Sequence, residues 1–250
     1  MCLLLIALDV VPQKPWLLLG NRDEFHPRPS AAAAPWDDAP GVLGGRDLEA
    51  GGSWLAIHRN GRFAAVTNVR LADPKHGPRS RGALIREFVA GSETPAAYVA
   101  ALRDVVDEFA PFNLVVGDLQ ETWCLESPRR LAQRLSAGVH LISNGPLDAP
   151  WPKMRRLRRG FEELLSRGAA GDSNAMLSLL ADESIAADAD LPHTGIALER
   201  ERFLSPIFVR AEVYGTRAST LAWRDASGAV GLHERRFGPN GQFLGETTLA

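Results

Sequence analysis

The sequence predicts an α+β fold, a four-layer α/β/β/α sandwich formed as one domain over residues 1–250. Three observations carry that prediction. Strand-like apolar runs lie at both ends of the chain, helical periodicity is confined to its middle, and 250 residues with 45% hydrophobic side chains can bury a sizeable core without disulfide or metal staples. Strands at both termini with helices between them place the two chain ends in the central sheets.

The elements follow in order. Residues 2–10 form an apolar run that reads as a strand buried on both faces, and residues 16–20 form a second after a Pro12/Pro15 turn, giving an N-terminal hairpin with Cys2 at its open end. Residues 25–52 are rich in proline, alanine and glycine and read as an irregular loop. Residues 53–58 and 62–68 are strands joined through Asn60-Gly61, the strongest hairpin signal in the chain. Helices are expected over 81–90 and 95–109, the second with Thr94 as N-cap and Pro95 at its first position, together covering one sheet face. Strands return at 112–116, 122–125 and 139–143, followed by helices near 154–167 and 174–181. The end is β again, with strands at 207–214, 216–224, 229–237 and 243–247.

Composition excludes several functions. A net charge of -2 and a pI near 6.3 give no bulk attraction for nucleic acid or an anionic membrane. Cys2 and Cys124 form no CxxC pair, which argues against a zinc site or secreted disulfide framework and for the reducing cytoplasm. The apolar start lacks a basic n-region and is cut short by Asp9, so it reads as a strand rather than a signal peptide. No apolar stretch reaches the roughly 20 residues of a membrane span, and stable membrane insertion is not expected. No repeat or linker divides the chain, and its oligomeric state is not encoded in any recognisable pattern.

Cys2 is the first candidate for chemistry. Removal of Met1 would leave a thiol and a free α-amine on one residue, and an amine of pKa about 7.7–8.0 can take the thiol proton as sulfur attacks a carbonyl. The alternative is a small core residue opening a buried strand. Gly20-Asn21-Arg22-Asp23-Glu24 ends the strand expected to pair with it, which brings four polar residues close to the thiol. Arg22 would stabilise a thiolate or anchor a substrate carboxylate, and Asp23 would hold or orient the α-amine. Otherwise the segment is an exposed turn of self-paired charges.

The Met-Cys start, Asn21-Arg22-Asp23-Glu24, Gly44-Gly45-Arg46-Asp47, Gly51-Gly52-Ser53-Trp54-Leu55, Val66-Thr67-Asn68, Phe112-Asn113-Leu114, Ser143-Asn144-Gly145 and Tyr214-Gly215-Thr216-Arg217 together resemble the signature blocks of the NRDE family, also called the transport and Golgi organisation protein 2 family. That family is similar to the choloylglycine hydrolase and penicillin acylase group of N-terminal-nucleophile enzymes. The resemblance implies their fold and an amide-cleaving cysteine at Cys2, with Arg22 and Asp23 beside it. It also implies that Asn68 and Asn144 flank the reacting carbonyl as oxyanion donors; locally, each also reads as a strand end or turn. Arg217 is the candidate for a second site arginine, against a solvated strand arginine. The expected partner is then a small acyl or amide compound, with no cofactor required. Because NRDE proteins have been connected with intracellular haem movement, the same pocket is alternatively expected to take haem in a non-enzymatic trafficking role.

The remaining features are weaker. Gly44, Gly45, Gly51 and Gly52 permit close backbone approach and suit a pocket rim, but form no phosphate loop. Trp54 is expected in the core, with a place in the lining of the ligand cavity as the alternative. His26, His58, His76, His140, His193 and His233 lack metal-ligand spacing, although any one suffices as an axial haem ligand. The cations of 153–159 fall at a helix N-terminus, where the dipole disfavours them. They read as a solvated helix face, with an anion site as the alternative.

Overall fold

A computed structural model describes residues 2–73 and 76–250. Thirteen strands and five α-helices among them form two antiparallel sheets between two helical layers. One sheet has the order β10-β1-β2-β11-β12-β13 and the other runs β3 to β9 in sequence order. The strands are β1 (Cys2–Val11), β2 (Lys14–Phe25), β3 (Ser30–Pro35), β4 (Val42–Asp47), β5 (Leu55–His58), β6 (Phe63–Asn68), β7 (Phe112–Gly117), β8 (Thr122–Glu126), β9 (Leu131–Arg134), β10 (Gly138–Ile142), β11 (Tyr214–Arg224), β12 (Val230–Phe237) and β13 (Phe243–Leu249). The helices are α1 (Arg81–Ala90), α2 (Pro95–Val105), α3 (Pro152–Ser166), α4 (Ser173–Ser178) and α5 (Leu198–Phe203). The first and last strands share one sheet, as strands at both chain ends imply.

Strand alternation sorts the side chains into layers. On β1, Leu4, Ile6 and Leu8 face the inter-sheet core with Trp16 and Leu18 of β2. Leu3, Leu5 and Ala7 face the opposite way, against Met154, Leu157 and Phe161 of α3. On the far side, Leu84, Ile85 and Phe88 of α1 and Tyr98, Val99 and Leu102 of α2 cover the second sheet. Both strands of the N-terminal hairpin are therefore buried on two faces, which is why they read as continuous apolar runs.

Several expectations need correction. Residues 25–52 carry β3 and β4, whose alanines and glycines have little strand propensity of their own. Pairing makes them strands: β4 lies on β5, with Leu43 opposite Ile57 and Gly44 opposite Ala56, and β3 lies on β4, with Ala34 opposite Gly44. Residues 207–213 are not a strand: Ile207, Phe208 and Val209 are buried, with Ile207 in the core between the first sheet and α3. The Asn21 side chain satisfies the Ile207 and Leu180 carbonyls at 2.9 Å each. Neither β9 nor α5 was signalled; both are short and lack a clear period. The Asn60-Gly61 turn is present, with Gly61 at φ +95°.

Candidate active site

The sheet register places Cys2 directly opposite Arg22. Alternation puts Cys2 and Arg22 on the inter-sheet side of their sheet and Asn21 and Asp23 on the side of α3. The four polar residues ending β2 are thus divided between two environments. Asn21 is structural: beyond the two carbonyls it binds, its Oδ1 accepts from the Ser219 hydroxyl at 2.6 Å. Asp23 is buried and accepts from the Thr216 hydroxyl at 2.7 Å. Thr216 is in turn locked to Val209 through its backbone N–H and its hydroxyl, at 2.8 and 2.9 Å.

Cys2 is half-buried on the wall of a cleft of about 480 Å³ that Arg22, Asp23, Trp54, Asn68 and Arg81 also line. Burial pushes its thiol above the ordinary range, and the Asp23 charge adds to that, against the pull of Arg22. The resting side chain is therefore a thiol and needs a base to become a nucleophile. Met1, whose removal would free the Cys2 amine, lies outside the described residues. The Cys2 carbonyl accepts from the Ser143 hydroxyl at 2.9 Å, which fixes the strand end against the turn after β10.

Arg22 lies over the face of Trp54, with the guanidinium carbon 4.5 Å from the ring centroid. Trp54, expected in the core, packs partly against the inter-sheet core and partly under this arginine. The Arg22 Nη2 is 3.6 Å from Asp47, while its buried Nη1 has no hydrogen-bond partner among the described residues. Gly52 holds the opposite wall close: a Cβ there would lie 2.3 Å from the Gly82 carbonyl carbon, so only glycine lets the 51–53 segment touch the first turn of α1.

Asn68 and Asn144 are brought together in unequal roles. Asn68, at the end of β6, lines the cleft. Asn144 is fully buried and spends one amide N–H on the Asn68 carbonyl at 2.8 Å, so it positions Asn68 from behind. Its own carbonyl accepts from the Arg70 backbone N–H at 2.7 Å. Arg217 does not reach the cleft. It sits at a bulge in β11 and donates to the Phe25 and Arg28 carbonyls at 2.8 and 3.0 Å, pinning the segment after β2.

Sequence reasoning missed a buried charge cluster behind Asp23. Lys153, in the first turn of α3, is 2% exposed, which corrects its assignment to a solvated face. Met154 and Leu157 do point inward, and Arg155 and Arg159 are exposed as expected. Burial and neighbouring Arg70 push the Lys153 amine down to about 8, against the opposing pull of Asp23, Cys2 and Glu201. Arg70 pairs with Glu201 of α5, both side chains being buried. A signal existed in the cation at a helix start, which the dipole disfavours unless acids from elsewhere compensate it. Among the histidines, His140 and His233 pair with Asp148 and Glu246, and His76 lines the cleft. Among the described residues, no three His, Cys, Asp or Glu side chains converge as a metal site. No helix among those residues is long and apolar enough to cross a membrane.

A family model described as Transport and Golgi organisation 2 matches residues 1–239. The Transport and Golgi organization protein 2 homolog of Bos taurus is 31% identical over 255 residues, covering 94% of this chain and 92% of the bovine one. Transport and Golgi organization protein 2 of Drosophila melanogaster is 34% identical over 186 residues, covering 66% and 65%. Among solved structures, the chain is similar to the C2A mutant of a conjugated bile acid hydrolase from Clostridium perfringens. The TM-score is 0.55 at 8% identity, with 100% of this chain and 92% of that one covered. That likeness identifies the sandwich as the N-terminal-nucleophile hydrolase fold. The chain itself belongs to the Transport and Golgi organisation 2 family.

Proposed function

We propose that this protein is a cysteine N-terminal-nucleophile hydrolase that cleaves a linear amide or related acyl bond of a small molecule. The observation that carries the reading is the placement of Cys2: it lies opposite Arg22 on the wall of a cleft that Asn68 also lines, on a strand end held by the Ser143 hydroxyl. The sulfur attacks the carbonyl carbon and its proton passes to the α-amine of Cys2. The C–N bond then breaks as the leaving amine takes that proton, and water hydrolyses the thioester to release the acid and restore the thiol. The Asn68 amide is the side-chain donor for the oxyanion, with Asn144 holding Asn68 in place. The Asp23 carboxylate, fixed by Thr216, orients the amine. Arg217 contributes by anchoring the chain that follows Asp23. Free thiols at Cys2 and Cys124 suit a reducing compartment such as the cytoplasm.

The haem-trafficking alternative is less well served. A porphyrin rests its flat faces on apolar walls, whereas the side chains here include Arg22, Asp23, Glu24, Arg28, Asp47 and Arg81, with Trp54 and Val66 as the main apolar surfaces. The residues do not fit that group, and no step is assigned to it.

The test is Cys2→Ala, checked first by intact mass of the wild type to establish that Met1 is absent. Turnover of a panel of N-acyl compounds is expected to vanish in the variant while its circular dichroism spectrum and Tm stay unchanged. Equal turnover by the variant would overturn the assignment.

A further inference from the structure

The cleft is rich in charge, but its cations are not equally engaged. Arg28 is spent on Asp47 and Glu49, at 2.7 Å each. Arg79 is spent on Glu87 and Glu108, at 2.8 and 3.0 Å. Arg22 and Arg81 differ. Asp47, the acid nearest Arg22, already accepts from Arg28 and from the backbone N–H groups of Glu49 and Ala50, and it stands 3.6 Å away. The Arg22 side chain is 5% exposed and its Nη1 is orphaned, a costly state for a buried guanidinium unless an anion completes it. Arg81 donates only a long 3.3 Å bond to the Pro111 carbonyl among the described residues. Burial lowers its pKa, against the opposing pull of Cys2 and Glu24. The contact between Gly52 and Gly82 fixes the first turn of α1, and with it Arg81, against the cleft wall.

We propose that Arg22 and Arg81 form a carboxylate subsite beside Cys2, so that the amide cleaved belongs to a small N-acylated amino acid whose free carboxylate sits on the amine half. Planar guanidinium groups recognise carboxylates through paired N–H donors, and both are placed to do so within the same cleft as the thiol. The subsite gives binding energy to a group separated from the scissile nitrogen by a single carbon, which orients the carbonyl toward sulfur. The polar walls favour a short acyl chain over an extended apolar one. This substrate class rests on the Cys2 hydrolase reading, but the carboxylate subsite itself is separable from it.

The experiment uses N-acetyl, N-butyryl and N-hexanoyl alanine, each paired with its carboxamide. Binding to the full-length Cys2→Ala protein is measured by calorimetry, and turnover is measured with the wild type. The acids are expected to bind at least about tenfold more tightly than the amides, the scale of one charge-assisted pair. Adding Arg81→Gln should bring that ratio toward one, with Arg81→Lys intermediate and the Tm of both variants verifying folding. Equal binding of acid and amide, no binding of either, or an undiminished ratio in folded Arg81→Gln overturns the subsite. Preferential acid binding without wild-type turnover would retain the subsite and refute the hydrolase. Cys2-dependent turnover that ignores the carboxylate would do the reverse.

Discussion

Replacing Glu201 by Gln should destabilise the fold far more than an isosteric change at most positions. The Glu201 Oε2 pairs with Arg70, and Oε1 accepts from the backbone N–H of Thr194 at 3.1 Å and from its hydroxyl. Side-chain exposure is 3% for Arg70 and 4% for Glu201, so water cannot replace either partner. Arg70 already leaves Nε and Nη2 without hydrogen-bond partners among the described residues, and Lys153 adds a second cation beside it. Removing the carboxylate charge therefore strands a buried guanidinium, at a cost of about 3–5 kcal/mol. At roughly 2–4 °C per kcal/mol for a domain of this size, Tm should fall by about 6–20 °C. Scanning calorimetry at pH 7 measures it, and a fall below about 2 °C would refute the reasoning. A second variant separates lost charge from lost packing. Arg70→Met with Glu201→Leu removes both charges and should recover most of the loss. A double variant as unstable as Glu201→Gln would show that the unpaired charge is not the cause.

Glu234 of β12 predicts a pH dependence. It is 1% exposed and accepts from the Ala33 backbone N–H of the other sheet at 2.8 Å; burial pushes its carboxyl up to about 7. The folded protein holds this proton between about 4.5 and 7 while the unfolded chain releases it, so Glu234 lowers stability as pH rises through that window. The effect is roughly 3 kcal/mol across the window, and Glu234→Gln should flatten it; identical stability–pH profiles for variant and wild type would contradict the prediction. Asn144→Ala removes the 2.8 Å bond to the Asn68 carbonyl and should cost about 1–3 kcal/mol. It should also lower kcat by letting Asn68 drift; an unchanged Tm and kcat would show that Asn68 is held by other contacts.

The hairpin that presents Cys2 to Arg22 was legible in the sequence because local rules decide it: two apolar runs around a short turn, with polar residues at their open end. The Asn60-Gly61 hairpin and the bounds of α1 were legible for the same reason, through turn chemistry and a helical period beginning after Ser80, whose side chain caps it. The strands β3 and β4 were not, because alanine and glycine become strand residues only when a neighbour supplies the ladder. The roles of Asn144 and Arg217 were likewise undecided, since a polar side chain near a site can serve the substrate or the backbone, and these two hydrogen-bond backbone carbonyls. The charge cluster was least legible. Arg70 follows β6, Lys153 opens α3 and Glu201 lies in α5, so no spacing links them. The sequence by itself determined the N-terminal and Asn60-Gly61 hairpins, and with the first where the thiol and its facing arginine lie, because alternation and turn geometry act between near neighbours. Only the tertiary structure decided which charges are buried and which line the cleft, because the cost of burying a charge depends on partners brought from distant parts of the chain.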